Sequence, residues 1–299
     1  MFRLMFLFTL LFNLQVSYAQ NSLPIIAAGV PKPLSESKNF ENIFHTLAEA
    51  GMTVFFPTFQ FQEVPEAKSL GFETYFLPPC QPLNSALRAM LRANVSLLVP
   101  GELLYPQLPA PFPTQEEDPL KILLDCLGKK GIYGVYSYDE PVLQGVSLES
   151  VQRLYERVTS LDPTLPVLMI HAPMLTDNEL LQTPEQKAAY LNNVKRYSQY
   201  ADVVGFDVYP IPRDIAKVAT PYSSVPKDYR LQLADYLEWL DAELPDKRHA
   251  LVLQGFSYTY QFADDYLEKY YPPEILAAIR PPNRIELSEM VGVVQGHNA

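Results

Sequence analysis

The chain has 299 residues, of which 48% are hydrophobic, and a net charge of −11 from 23 basic and 34 acidic residues. This length suits one large domain or two small ones. The acidic balance and the lack of a Lys/Arg run argue against nucleic acid and anionic membranes as partners, because both are negatively charged. The four histidines are scattered without the spacing of a ligand set, so we expect no metal site.

The first residues have the pattern of an export leader. Arg3 gives a positive start, residues 4–14 are almost wholly apolar, and Ser17-Tyr18-Ala19 is a small-x-small cleavage site. The apolar run is shorter than the roughly 20 residues that span a bilayer, which favours a signal peptide over a retained anchor. We predict that residues 1–19 are a cleaved signal peptide, that residues 20–299 form one domain, and that the mature protein is secreted or periplasmic.

Apolar strand-like segments then alternate with amphipathic helical ones along the chain. The strand candidates are Ile25–Val30, Met52–Pro57, Glu73–Pro78, Ser96–Pro100, Gly134–Glu140, Pro166–His171, Val203–Tyr209 and Ala250–Gln254. The helix candidates are Asn39–Ala50, Leu83–Ala93, Pro119–Lys130, Leu148–Leu161, Pro184–Tyr200, Asp228–Glu243 and Arg284–Gly296. Such alternation predicts a parallel sheet with crossover helices, and the nearly continuous apolar strands indicate burial on both faces.

Eight strands and a chain of this length predict an α/β protein with a (β/α)8 TIM barrel. The last candidate helix is followed by no further strand, although a barrel of this kind normally has one there. Either Ser96–Pro100, the weakest strand candidate, lies outside the barrel, or the barrel closes with a helix. Cys80 and Cys126 are the only cysteines, and we expect two buried free thiols rather than a disulfide. The sequence has no glycine-rich nucleotide-binding loop, so we expect no cofactor.

The segment Gly134–Pro141 is a strand that stops at two adjacent carboxylates, Asp139 and Glu140. A carboxylate at the carboxyl end of a barrel strand is typical of a catalytic position. Glu140 could act as general acid and then general base, with Asp139 orienting it or raising its pKa. Strand alternation places Tyr136, Tyr138 and Glu140 on one face and Asp139 on the other. The alternative interpretation is a strand exit in which an acidic residue caps the next helix.

Two later strands carry further candidates. In Asp202–Pro210 alternation directs Asp207 and Tyr209 into the barrel, where they could bind sugar hydroxyls or stabilise positive charge, or simply satisfy hydrogen bonds in the barrel. Gln254 ends the strand Ala250–Gln254 and can hydrogen-bond a substrate but cannot be a nucleophile. Phe256, Tyr136, Tyr138 and Tyr209 are aromatic residues that could stack on sugar rings. Glu102 and His171 also follow strands, and we interpret both as structural.

The order of these motifs resembles glycoside hydrolase-like (β/α)8 barrels, in particular the poorly characterised secreted type with a D-E-P strand. The resembling segments are Tyr138–Pro141, Asp202–Pro210 and Leu251–Phe256. The resemblance implies that Glu140 is the acid/base at the end of strand four and that Gln254 stands where the nucleophilic Glu ends strand seven. It also implies that Ser96–Pro100 lies outside the barrel and that the last strand of the barrel is missing from this chain.

The sequence therefore predicts a secreted hydrolase that cleaves glycosidic bonds of a poly- or oligosaccharide. Its catalytic residues would be Glu140, Asp139 and Asp207; its substrate-binding residues would be Tyr136, Tyr138, Tyr209, Gln254 and Phe256. Because Gln254 replaces the expected nucleophile, three alternatives remain open: Asp207 as second carboxylate, the acetamido group of a substrate as nucleophile, or a barrel that binds carbohydrate without cleaving it.

Overall fold

The computed structural model describes residues 8–12, 25–28, 39–57, 85–106, 108–114, 116–176, 181, 183–223, 228–258, 267–269 and 271–297. The strands are β1 (Phe8–Phe12), β2 (Ile25–Ala28), β3 (Met52–Phe56), β4 (Ser96–Pro100), β5 (Ile132–Asp139), β6 (Val167–His171), β7 (Met174–Leu175), β8 (Val203–Val208), β9 (Val218–Ala219) and β10 (Arg248–Leu253). The helices are α1 (Phe40–Glu49), α2 (Ser85–Arg92), α3 (Gly101–Leu104), α4 (Pro119–Gly131), α5 (Leu148–Leu161), α6 (Pro184–Ser198), α7 (Arg213–Ala216), α8 (Tyr229–Glu243), α9 (Pro273–Leu276) and α10 (Arg284–His297).

Seven strands form a continuous parallel sheet in the order β2-β3-β4-β5-β6-β8-β10, and the sheet curls into a barrel. This order confirms the predicted (β/α)8-type architecture without its last parallel strand. The remaining position between β10 and β2 is taken by β1, which runs antiparallel to both neighbours. These residues belong to the predicted signal peptide, whose cleavage stays a prediction.

The weakest strand candidate lies inside the barrel. Ser96–Pro100 is β4 and pairs with β3 on one side and β5 on the other. The prediction that it lies outside the barrel is therefore wrong, because these neighbours hydrogen-bond to it directly. The candidate Glu73–Pro78 lies outside the described residues. With β4 included, β5 is the fourth parallel strand and β10 the seventh.

The two faces of the sheet bury different sets of apolar side chains. The barrel interior holds Ile26, Val54, Phe56, Leu98, Tyr136, Leu168, Ile170, Val203, Ala250 and Val252. Outward residues pack against the helices; Phe206 of β8, for example, contacts the rings of Tyr236 and Trp239 on α8 at centroid distances of 4.6 and 5.8 Å. Two helix starts are capped by side chains: Asn39 accepts from the Asn42 N–H, and Ser147 accepts from the Ser150 N–H.

Cys126 on α4 forms a disulfide, so the prediction of two free thiols is wrong. Its side chain is half-buried at the edge of the helix layer rather than enclosed in the core, a position from which it can be reached for pairing. Cys80 is the only other cysteine in the chain and lies outside the described residues. Among the helices that the structure describes, none is both long and apolar enough to cross a bilayer.

Candidate active site

Four carboxyl groups meet at the carboxyl end of the barrel. Asp139 and Glu140 end β5, Asp207 lies near the end of β8, and Glu102 follows β4 by two residues. The pKa of each of the four is raised, with burial as the largest cause and the charge of a neighbouring carboxylate as a further cause for three of them. The structure thus brings together the three predicted catalytic residues, and adds Glu102.

The end of β5 departs from regular alternation. The pairing of β5 with β6 shifts register between Tyr136 and Asp139, so three residues of β5 span two of β6. This irregularity brings Asp139 to the side of Tyr136, whose hydroxyl donates to Asp139 Oδ1 at 2.7 Å. The predicted faces are therefore wrong: Tyr136 lies inside the barrel and contacts Asp139, whereas Tyr138 packs among the outer residues.

Glu140 has a strained backbone. Its φ is +40°, in the left-handed region that non-glycine residues seldom adopt, and the following Pro141 restricts it further. Gln144 supports it twice: its N–H donates to the Glu140 carbonyl at 3.0 Å, and its side-chain amide donates to Glu140 Oε2 at 3.2 Å. Strain of this kind costs on the order of 1–3 kcal/mol and is concentrated at functional sites.

Glu140 and Asp207 form an interacting pair of carboxyl groups. Burial raises the pKa of Asp207 well above its ordinary value, and the charges of Glu140 and Asp139 raise it further. Burial and the charge of Asp139 also raise the pKa of Glu140, whereas its hydrogen bond with Asp207 lowers it. These opposite effects favour a proton on Asp207 rather than on Glu140. Asp207 Oδ1 is buried and has no hydrogen-bond partner among the residues that the structure describes, so it can receive a hydrogen bond from a ligand or water.

Three aromatic residues pack beside this pair. The ring of Phe256 contacts Tyr209 at 4.9 Å and Tyr258 at 5.7 Å, both edge to face. The Tyr258 hydroxyl donates to the Tyr209 carbonyl at 2.6 Å, and the pKa of Tyr209 is raised by burial and by the charges of Asp207 and Asp139. Tyr209 and Phe256 thus lie at the predicted site, and Tyr258 fixes the backbone of Tyr209.

The position of the Gln254 side chain does not match the predicted role in substrate binding. It is fully buried, and its side-chain amide donates to the carbonyls of Ile211 and Phe256, the latter at 3.1 Å. Its Oε1 accepts from the Ile211 N–H at 2.8 Å. Both amide hydrogens are therefore used, and the side chain ties the segment after β8 to the end of β10 rather than offering a donor to a ligand.

Tyr138 and His171 pack on the helix side of the sheet, away from the Glu140–Asp207 pair. Burial, followed by the charge of Glu102, raises the pKa of Tyr138 to about 12, and its hydroxyl interacts with Ser150 on α5. His171 at the end of β6 is buried, with its Nε2 3.1 Å from Ser198 Oγ, and burial lowers its pKa to about 3. Within the described ranges, no group of three or more His, Cys, Asp or Glu side chains is arranged to hold a metal ion.

The sequence matches no family model and no curated protein. In fold, the chain is similar to a putative α-L-fucosidase from Bacteroides thetaiotaomicron, with 11% identity over 95% of this chain and 85% of that chain and a TM-score of 0.49. It is similar to a family 1 β-glucosidase from Thermotoga maritima (11% identity, 88% and 74% covered, TM-score 0.43). It is also similar to a β-mannanase from the blue mussel Mytilus edulis (12% identity, 80% and 84% covered, TM-score 0.32).

These three proteins carry glycosidase names, the class with which the sequence motifs show a resemblance. Their TM-scores lie below 0.5, so the function proposed below rests on the residues of this chain.

Proposed function

We propose that this protein is a glycoside hydrolase that cleaves a poly- or oligosaccharide by general acid/base catalysis, with Glu140 and Asp207 as its proton-transferring pair. One observation carries the proposal: two interacting, partly buried carboxyl groups share a site at the carboxyl end of the barrel, and desolvation raises the pKa of both. The unpaired Asp207 Oδ1 and the strained backbone of Glu140 support it.

The two carboxyl groups have different roles in this proposal. Like charges in contact disfavour double ionisation, so we assign the proton that the pair shares to Asp207, whose pKa is raised well above its ordinary value. Glu140 reaches the exposed side chain of Gln144, whereas the Oδ1 atom of Asp207 is shielded from solvent. Glu140 would therefore contact the glycosidic oxygen and pass to it the proton that it takes from Asp207, which leaves both carboxyl groups ionised. Asp139, held by Tyr136, would keep the pKa of Glu140 raised by its negative charge.

The hydrogen bond between Glu140 and Asp207 limits the mechanism. Carboxyl groups that act from opposite sides of a sugar are about 5 Å apart in retaining enzymes and about 6.5–9.5 Å apart in inverting ones. Because Glu140 and Asp207 interact with each other, we propose that both act on the leaving-group side of the scissile bond. Attack on the anomeric carbon would then come from water, which would return a proton to the Glu140–Asp207 pair after the leaving group departs, or from a group of the substrate itself.

The second candidate function is a barrel that binds carbohydrate without cleaving it. Gln254, at the end of the seventh parallel strand, favours this candidate because it cannot be a nucleophile and its amide hydrogens are bonded to backbone carbonyls. The aromatic cluster of Tyr209, Phe256 and Tyr258 would serve binding in either case.

The leader-like residues 1–19 and the disulfide at Cys126 lead us to propose action outside the cytoplasm, since disulfides persist in oxidising compartments. Fractionation of cells that produce the full chain, followed by sequencing of the mature N-terminus, tests this. A chain that stays in the cytoplasm with Met1 intact would contradict the proposal.

The test of hydrolysis compares the wild type with Glu140→Gln, Asp207→Asn and Glu238→Gln on a panel of polysaccharides, with released reducing ends as the readout. Glu238 is an exposed carboxylate on α8 and serves as the matched control. Loss of general acid catalysis should reduce the rate about 10²–10⁴-fold in the first two variants and leave the control unchanged. Turnover that is equal in all four proteins would refute the assignment; binding in calorimetry without any release would support the non-catalytic barrel.

A further inference from the structure

Glu102 is brought to the site by a close approach between α3 and β5. A Cβ on Gly101 would lie 2.9 Å from the Tyr136 carbonyl oxygen and 2.8 Å from a methyl of Leu154, so only glycine fits at this point. Because Gly101 lets the first turn of α3 pack directly on β5, the next residue, Glu102, lies against the end of that strand.

The side chain of Glu102 contacts the backbone of β5 where the strand becomes irregular. Its Oε2 accepts the Asp139 N–H at 3.3 Å. Asp139 is the residue displaced by the register shift, and the next residue, Glu140, has the positive φ. This hydrogen bond therefore connects the segment β4–α3 to the end of β5, where Asp139 and Glu140 depart from regular strand geometry.

We propose that Glu102 is a positioning residue that holds the end of β5 through the Asp139 N–H and thereby sets the placement of Asp139 and Glu140. The consequence for catalysis rests on the function proposed above, whereas the positioning itself can be measured without a substrate. Loss of this acceptor would release the Asp139 amide and let the strand end relax away from the strained conformation of Glu140.

The ionisation of Glu102 gives this contact a measurable signature. Burial raises the pKa of Glu102 to about 7, the charge of Asp139 raises it as well, and the Asp139 N–H lowers it. The groups that face Glu102 from β5 are Asp139 and Tyr138. An amide that donates to a carboxylate changes its chemical shift when that carboxylate is protonated, so the Asp139 amide should report the titration of Glu102.

The experiment follows the Asp139 amide by ¹H–¹⁵N NMR in the substrate-free protein from pH 5 to 9, in the wild type, Glu102→Gln, Glu102→Ala and the exposed control Glu238→Ala. The wild type and the control should show a transition near pH 7. Glu102→Gln keeps an acceptor oxygen without a titrating group, so the transition should vanish while the shift stays that of a bonded amide. In Glu102→Ala the amide should exchange with solvent about tenfold faster or more.

A second readout separates positioning from bulk stability. The ¹³C shifts of the Glu140 and Asp207 carboxyl groups report the pH at which these groups titrate. This titration midpoint should change in Glu102→Ala and should lie closer to the wild-type midpoint in Glu102→Gln. An Asp139 amide and a carboxyl pair that titrate identically in all four proteins would overturn the proposal, even if polysaccharide is hydrolysed. Conversely, the expected NMR changes without any hydrolysis would sustain the positioning role and reject the proposed function. If Glu102→Ala does not fold, Glu102→Gln tests the proposal alone. Loss of the transition near pH 7 supports the proposal, and persistence of that transition overturns it.

Discussion

Gln254 hydrogen-bonds both backbone groups of Ile211, accepting from its N–H at 2.8 Å and donating to its carbonyl, and donates its second amide hydrogen to Phe256. The side chain is fully buried, so no water can replace these partners. The amide at the end of the seventh parallel strand therefore joins the segments that carry Tyr209 and Phe256, and its chemistry is that of a structural connector.

The first prediction concerns the substitution that would restore the expected nucleophile, Gln254→Glu. A carboxylate can still accept from the Ile211 N–H but faces two carbonyl oxygens, those of Ile211 and Phe256, without a hydrogen to donate. Because a buried, uncompensated charge is left, we expect a loss of about 3 kcal/mol in the free energy of unfolding, measured by urea denaturation. Gln199→Glu, at an exposed position, is the control and should cost well under that amount. Equal stability of both variants would show that Gln254 is not a connector.

The second prediction is a pH dependence of stability that Asp207→Asn reduces. The folded-state pKa of Asp207 lies well above its unfolded value of about 3.9, so the folded protein binds this proton more tightly. Its stabilising contribution is complete below pH 4 and is lost as the pH rises through the folded-state pKa. Asparagine keeps a donor for Glu140 and does not ionise, so stability should fall less with pH.

The measurement compares the free energy of unfolding of the wild type and Asp207→Asn at several pH values from 4 to 8. As the pH rises, the free energy of unfolding of Asp207→Asn should increase relative to that of the wild type. The increase should be at most about 1.4 kcal/mol per pH unit, the limit for one proton. Asp235→Asn, a carboxyl group on α8, provides the control. Parallel curves for the wild type and Asp207→Asn would mean that Asp207 is already ionised in the folded protein.

The third prediction uses the positive φ of Glu140. Glu140→Gly and Glu140→Ala both remove the carboxylate, but only glycine adopts φ near +40° without strain. We therefore expect the glycine variant to be more stable than the alanine variant by about 1 kcal/mol, measured by thermal or urea unfolding. An alanine variant as stable as the glycine variant would indicate that the strand end relaxes when the side chain is lost.

The regular strands could be predicted from the sequence down to the direction of single side chains. In β8 the alternation of Val204, Phe206 and Val208 with Gly205 and Asp207 separates the helix-facing side from the interior, as the structure confirms. Alternation predicts these directions correctly because β8 pairs with both of its neighbours without a register shift.

The end of β5 could not be predicted in the same way. Its register shift depends on the pairing with β6, and both faces of the strand carry tyrosines, so a pattern of polarity gives no sign of where alternation breaks. The contact of Glu102 with the end of β5 could not be predicted either. It depends on the packing of Gly101 against Tyr136 and Leu154, which are distant in sequence. The place of Ser96–Pro100 in the barrel is set by its neighbours rather than by its own five residues.

The final prediction concerns the disulfide of Cys126. With Cys80 as the only other cysteine, the bond would close a loop of about 45 residues, and the loop-closure entropy removed from the unfolded chain corresponds to about 4 kcal/mol. Cys126→Ser should therefore lower the free energy of unfolding by up to this amount. The same loss should appear when a reducing agent is added to the wild type and should not appear when it is added to the variant. Two thiols that react with an alkylating agent in the unreduced, denatured wild type would contradict the bond, and would also remove one support for action in an oxidising compartment.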